Sequence, residues 1–192
     1  MNNFLRPALM LMAFFTLLTG LAYPVLVTMT AQTVFPKTAN GSLLVRNGKV
    51  MGSTLIGQNF TEPGYFWGRL SATGSFPYNA MASGGSNYGA MHPALVEAAR
   101  GRVKALQAAD SLASKLVPAD LATASGSGLD PEISLAAADY QVARVAKARG
   151  ISVEELHALI RENLKGKFLG FSGMERVNVL NLNLALDAQA SH

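Results

Sequence analysis

Three His, no Cys and a Gly-rich run at residues 83–89 are the obvious starting points for chemistry in this 192-residue chain. Without Cys, disulfides, thiolate metal sites and Cys nucleophiles are excluded. His92 precedes Pro93 and reads as a helix cap, His157 reads as a helix-surface residue, and His192 ends the sequence. No H-E-x-x-H or other paired spacing points to a metal. The run Ser83-Gly84-Gly85-Ser86-Asn87-Tyr88-Gly89 is not the G-x-x-x-x-G-K-[ST] phosphate cradle. Nor does it sit on the strand-to-helix turn of a dinucleotide site. Its Gly and Asn residues read first as a turn or close-packed loop, with a phosphate or partner-backbone contact as the alternative. Ser86 misses the nucleophile-elbow spacing by one residue, and no Ser is followed three residues later by Lys. Glu154 and Glu155 belong to a helix-capping pattern. The sequons at Asn40 and Asn59 read as turn chemistry. No catalytic residue and no metal ligand emerges from these patterns.

The elements that would carry such residues divide sharply by charge. Charged residues make up only 15% of the chain, against roughly 25% in a typical domain, and the mean hydropathy is +0.22. Between Pro7 and Pro36 there is no Asp, Glu, Lys, Arg or His, and the first acidic residue is Glu62. The uncharged stretch at about 8–35 exceeds the about 20 apolar residues needed to cross a hydrocarbon core. Lipid requires internal backbone pairing, so a single transmembrane helix is expected, with Gly20 and Pro24 marking a kink. The competing reading is a signal peptide cut after Ala22. Its apolar region would span only about 7–15 residues, whereas here apolar character runs on to Phe35. A retained anchor is the better expectation. Arg6 before the span and Lys37, Arg46 and Lys49 after it leave orientation undecided by charge.

Residues 37–192 hold every charged side chain except Arg6 and read as one domain following the 1–36 segment. Their charges are too evenly mixed for a nucleic-acid footprint, and Arg100, Arg102 and Lys104 read as a solvated helix surface. Asn47-Gly48 predicts a hairpin within 42–52, because that pair supplies the positive φ angles of a type I′ turn. Residues 57–89, rich in Gly, Ser, Asn and aromatics and holding the only Trp, read as a packed irregular loop. His92-Pro93 opens a predicted helix to about Ala109, with Leu95, Ala99, Val103 and Leu106 on one face. Ser134 caps a helix to about Arg149, where Gly150 stops it. Ser152 and Glu155 form a capping box for another helix to about Leu164. The alternating Leu residues of Val177–Leu186 predict a strand, with a helix as the competing assignment. The fold class is therefore α+β, preceded by one N-terminal transmembrane helix.

The ordered segments then suggest a family. RPAL at Arg6–Leu9, GSTLIGQNF at Gly52–Phe60, GYFWGRLSAT at Gly64–Thr73 and YNAMASGGSN at Tyr78–Asn87 resemble the C subunit of bacterial Kdp-type potassium-transporting P-type ATPases. VPADLATASGSGLDPEIS at Val117–Ser134, QVARVAKARG at Gln141–Gly150 and LNLALD at Leu182–Asp187 extend the likeness nearly end to end.

The resemblance implies a non-catalytic accessory subunit in the bacterial inner membrane. An ATP-hydrolysing subunit and a channel-like potassium-translocating subunit would be its partners, and those partners, not this chain, would handle ATP and potassium. The chain has neither a DKTG phosphorylation motif nor a TVGYG-type filter. Two roles are implied for the family. One is stabilisation of the complex, with the N-terminus cytoplasmic and the domain outside. The other is a catalytic chaperone that raises ATP affinity, for which Ser83, Gly84, Gly85, Ser86, Asn87 and Gln141 are the matching positions. A domain outside the membrane cannot touch cytoplasmic ATP, so direct contact is incompatible with the first role. Thr16, Thr19, Gly20, Pro24 and Thr28, with Thr30, are the expected helix-packing positions in lipid, where small and hydroxylated side chains are favoured. No Asp, Glu, Lys, Arg or His in the span marks an ion path. The alternative is a membrane-anchored extracytoplasmic enzyme, or a secreted domain, with a site in loop 57–89.

Overall fold

A computed structural model describes residues 4–110, 116–167 and 169–189. The chain divides into two compact units, Met1–Met51 and Gly52–His192. In the first, a continuous apolar helix covers Leu5–Val34, and none of its residues is buried. Its 30 residues, at about 1.5 Å each, are ample for a hydrocarbon core about 30 Å thick. It consists of α1 (Leu5–Leu17), a π-helical turn at Leu18–Ala22, and α2 (Tyr23–Val34). The wide turn lies where Pro24 lacks an N–H and its ring would crowd the carbonyl of Gly20 four residues back. Widening the turn relieves both defects. Thr19 Oγ1 donates to Phe15 O at 2.6 Å and Thr30 Oγ1 to Leu26 O at 2.8 Å, so these hydroxyls are satisfied within the helix. A short helix α3 (Pro36–Ala39) follows. There Asn40 and Gln32 exchange amide hydrogen bonds at 3.0 and 3.3 Å. The expected hairpin is β1 (Leu43–Arg46) and β2 (Lys49–Ser53), with Asn47 at φ 51° and Gly48 at φ 73° in the turn.

The second unit is α+β. After the irregular loop, which contains one 3-10 turn at Ala80–Ala82, come α4 (Pro93–Ala109), α5 (Ala119–Ala122), β3 (Glu132–Ser134) and α6 (Leu135–Arg149). Then follow α7 (Val153–Glu162), β4 (Leu164–Lys165), β5 (Arg176–Asn178) and α8 (Val179–Gln189). The sheet order is β3-β5-β4, antiparallel, with Val177 paired to Ile133 on one side and Leu164 on the other. The core gathers Ile133 and Val177 from the sheet, Val142 and Val145 from α6, and Leu156 and Ile160 from α7. Leu182 and Leu186 of α8 and Phe66 of the loop complete it. Three Ala of α6 (Ala137, Ala138, Ala146) are buried, which lets neighbouring elements pack close to its backbone.

The end signals of these helices are local, and the structure reproduces them. His92 Nδ1 accepts from Ala94 N at 3.2 Å. Ser134 Oγ accepts from Ala137 N at 3.1 Å, and Gly150 ends α6 at φ 69°. Ser152 and Glu155 close the capping box. That hydrogen bonding holds the Glu155 carboxyl below its ordinary pKa.

The strand expected over Val177–Leu186 is corrected: only Arg176–Asn178 is strand, and a helix begins at Val179. Val179, Leu180, Leu182, Asn183 and Leu186 are the buried positions, a helical spacing and not an alternating one. Asn178 Oδ1 accepts from Asn181 N at 3.0 Å, three residues ahead as an N-cap does. That bond turns the chain from strand into helix.

Candidate functional site

The loop that begins at Gly57 has little regular structure, yet its Phe66 and Trp67 are buried. An irregular backbone can enter a core only if its N–H and C=O groups find partners. Side chains from the helices supply them. Asn183 of α8 accepts from Phe66 N at 2.9 Å and donates to Phe66 O at 3.0 Å. Gln141 of α6 does the same for Trp67, at 2.8 and 3.1 Å. Two carboxamides thus stand in for a neighbouring strand.

Arginines continue the clamp. Arg144 donates to the carbonyls of Pro63 and Tyr65 and to Gln141 Oε1. Arg149 donates to Gly64 O at 2.8 Å and to Asp187 at 2.7 Å. Arg102 donates to Gly68 O at 2.7 Å and Leu121 O at 3.1 Å. The guanidiniums of Arg144 and Arg102 lie 4.6 and 5.3 Å from the centre of the Trp67 ring, within cation–π range. Burial pushes the Arg144 pKa down to about 10 and lowers that of Arg102. Arg102 therefore departs from the solvated surface expected for it, while Arg100 and Lys104 are exposed. The expectation failed because the loop that covers Arg102 lies 34 positions away in sequence.

The Gly-rich stretch packs against a second turn. Gly84 N donates to Ser127 O at 2.8 Å and Ser83 Oγ to the same carbonyl at 3.1 Å. A Cβ on Gly85 would lie 2.8 Å from Gly126 O, which explains glycine there. Asn87 adopts φ 51°, and Tyr88 stacks on His92 at 4.7 Å. Gly85, Ser86 and Tyr88 face Leu95 and Ala99 of α4 across a groove of about 530 Å³, floored by Ala122–Ala124. Gln141 does not line this groove. Its two lone pairs and two amide protons meet Trp67, Arg144 and Ala137. The positions expected to act together are thus separated: Gly85 and Ser86 line the groove, Ser83 and Gly84 bond to Ser127 O, and Gln141 lies in the core clamp. Thr16, Gly20, Pro24 and Thr28 recur four residues apart along the apolar helix, with Thr19 beside them. His157 sits on α7 with Nδ1 3.3 Å from Asp139. His192 lies outside the described residues.

The clamp residues Asn183, Arg144, Arg149 and Arg102 carry no motif. Their one sequence signal is a polar side chain within an apolar helical pattern, visible for Asn183 between Leu182 and Leu184.

The family model described as K+-transporting ATPase, c chain (KdpC) matches residues 5–188. Among similar proteins is the potassium-transporting ATPase KdpC subunit of Polaromonas naphthalenivorans, 59% identical over 188 residues, covering 98% of this chain and 96% of the relative. That of Herpetosiphon aurantiacus is 57% identical over 187 residues, 97% of each chain. The Variovorax paradoxus subunit is 56% identical over 191 residues, covering 100% of this chain and 99% of the relative.

Proposed function

Because the chain belongs to the family of K+-transporting ATPase c chains, we propose that it is the accessory subunit of such a pump, built to hold the complex together. The observation that carries this reading is the 30-residue apolar helix, uncharged beyond Arg6 and with no buried residue. Exposed apolar surface of that extent needs lipid or another helix, and Thr16, Thr19, Gly20, Pro24 and Thr28 offer small side chains for close approach. The span carries no charge to hold an ion on its way, so potassium passes through the channel-like partner. The domain lies outside the inner membrane, with the N-terminus cytoplasmic. ATP turnover belongs to the hydrolytic partner, and any effect on its ATP affinity reaches it through assembly. The enzyme reading, with its site in loop 57–89, has less support, since Gln141, Asn183, Arg144 and Arg149 are engaged in holding the backbone of that loop.

Two measurements test this. Replacing residues 5–34 with an unrelated apolar helix of equal length should reduce co-purification of the pump subunits in detergent; undiminished assembly overturns the anchoring role. Met91 is almost fully exposed and the chain has no Cys, so Met91→Cys offers a single label site. Labelling of intact cells by a membrane-impermeant maleimide places the domain outside. Protection until lysis would instead put the groove lined by Gly85 and Ser86 on the side of ATP and favour the chaperone role.

A further inference from the structure

A second, smaller cavity of about 70 Å³ lies between the loop and α4. It is lined by Gln58, Asn59, Ser71 and Tyr78 together with Arg69 and Arg102. No carboxylate lines it among the described residues. Arg69 directs Nη1 to Asp130 at 3.0 Å and Nη2 to Ala124 O at 3.3 Å. Its Nε is buried and has no hydrogen-bond partner among the described residues. Arg102 meets two backbone carbonyls and the Trp67 face; among the described residues it forms no ion pair. Tyr78 donates its hydroxyl to Arg69 O at 2.6 Å, and that bond sets the wall of the cavity. Arg69 and Arg102 therefore both line one small polar space, and among the described residues Arg69 has one buried N–H unsatisfied and Arg102 has no counter-ion.

An unpaired buried donor costs about 1–3 kcal/mol, and a desolvated cation calls for a negative partner. The volume is under half that of an apolar cavity of about 150 Å³ that takes up benzene. It is too small for a nucleotide or a phosphate ester and suits a monatomic anion. We propose that this cavity is a structural site for a small inorganic monoanion, chloride in a saline medium, which bridges Arg69 of the loop and Arg102 of α4. The anion would tie the loop to the helix as the carboxamides tie it to α6 and α8. This inference does not depend on the accessory role.

The test uses the full chain in detergent. Thermal unfolding is followed while sodium chloride replaces sodium gluconate at constant ionic strength. The expected result is a saturable rise in Tm of about 4 °C, the scale for one ligand bound only by the folded state. Arg69→Gln removes the unpaired N–H and should leave Tm indifferent to the anion. Should that variant fail to fold, bromide-soaked crystals of the unaltered chain decide the matter. An anomalous peak in the cavity within hydrogen-bond range of Arg69 Nε supports the site. Equal Tm in both salts overturns it, and so does a halide-dependent Tm with bromide found only elsewhere, an adventitious ion only.

Discussion

Gln141 illustrates how much one buried side chain can hold. Its carboxamide engages the backbone of Trp67 in both directions and also orients Arg144. Gln141→Leu would keep the volume but strand a buried N–H and a buried C=O. We expect a loss of about 3 kcal/mol, since each unsatisfied group costs about 1–3 kcal/mol. Urea unfolding of the full chain in detergent measures it, and a loss under about 1 kcal/mol would mean that the loop finds other partners. Tyr78 gives a pH signature. Burial is the main cause that raises its pKa from 10.0 to about 12, so the folded chain keeps this proton when the unfolded chain has lost it. The stability this confers is complete below pH 10 and is lost as pH rises from 10 through 12. Tyr78→Phe should be less stable at neutral pH, for want of the bond to Arg69 O. Its further decline between pH 10 and 12 should be shallower, and parallel declines for both proteins would refute the assignment.

At the scale of elements, helix starts are the most local feature. Ser134→Ala removes the acceptor for Ala137 N and should cost about 1 kcal/mol, read as a lower denaturation midpoint with unchanged slope. Such caps were legible because a cap and its helix lie within four residues of each other. The beginning of α8 was not, because Leu180, Leu182, Leu184 and Leu186 suit either a strand or a helix. Asn178 resolves the choice through two bonds, one to Asn181 N and one to the distant carbonyl of Thr54. The π-helical turn lies between these cases. Gly20 and Pro24 marked the place, and the geometry adopted there came from the pairing of backbone groups.

For the whole molecule, the low charge resolves into one apolar helix and one α+β unit of mixed charge. Retention of that helix predicts that the chain stays with membranes through alkaline carbonate extraction and that its purified N-terminus precedes Leu5. Cleavage after Ala22 would leave α2 as the remaining apolar helix. Its 12 residues fall short of the about 20 needed to span, so the chain would be released into the soluble fraction. The mass of the purified protein distinguishes the two outcomes.

The apolar helix, the hairpin turn, the caps of α4, α6 and α7 and the stop at Gly150 are legible in the sequence alone. Each depends on side chains and backbone groups a few residues apart. Its ordered segments also carried the family likeness. That α8 is a helix, that Arg102 is covered and that Gln141 and Asn183 clamp the loop follows from long-range packing. Asn183 and Phe66 are 117 positions apart, and Gln141 and Trp67 are 74 apart. Their hydrogen bonds exist because burying Phe66 and Trp67 would otherwise leave backbone groups unpaired, a requirement that arises only once the core has formed.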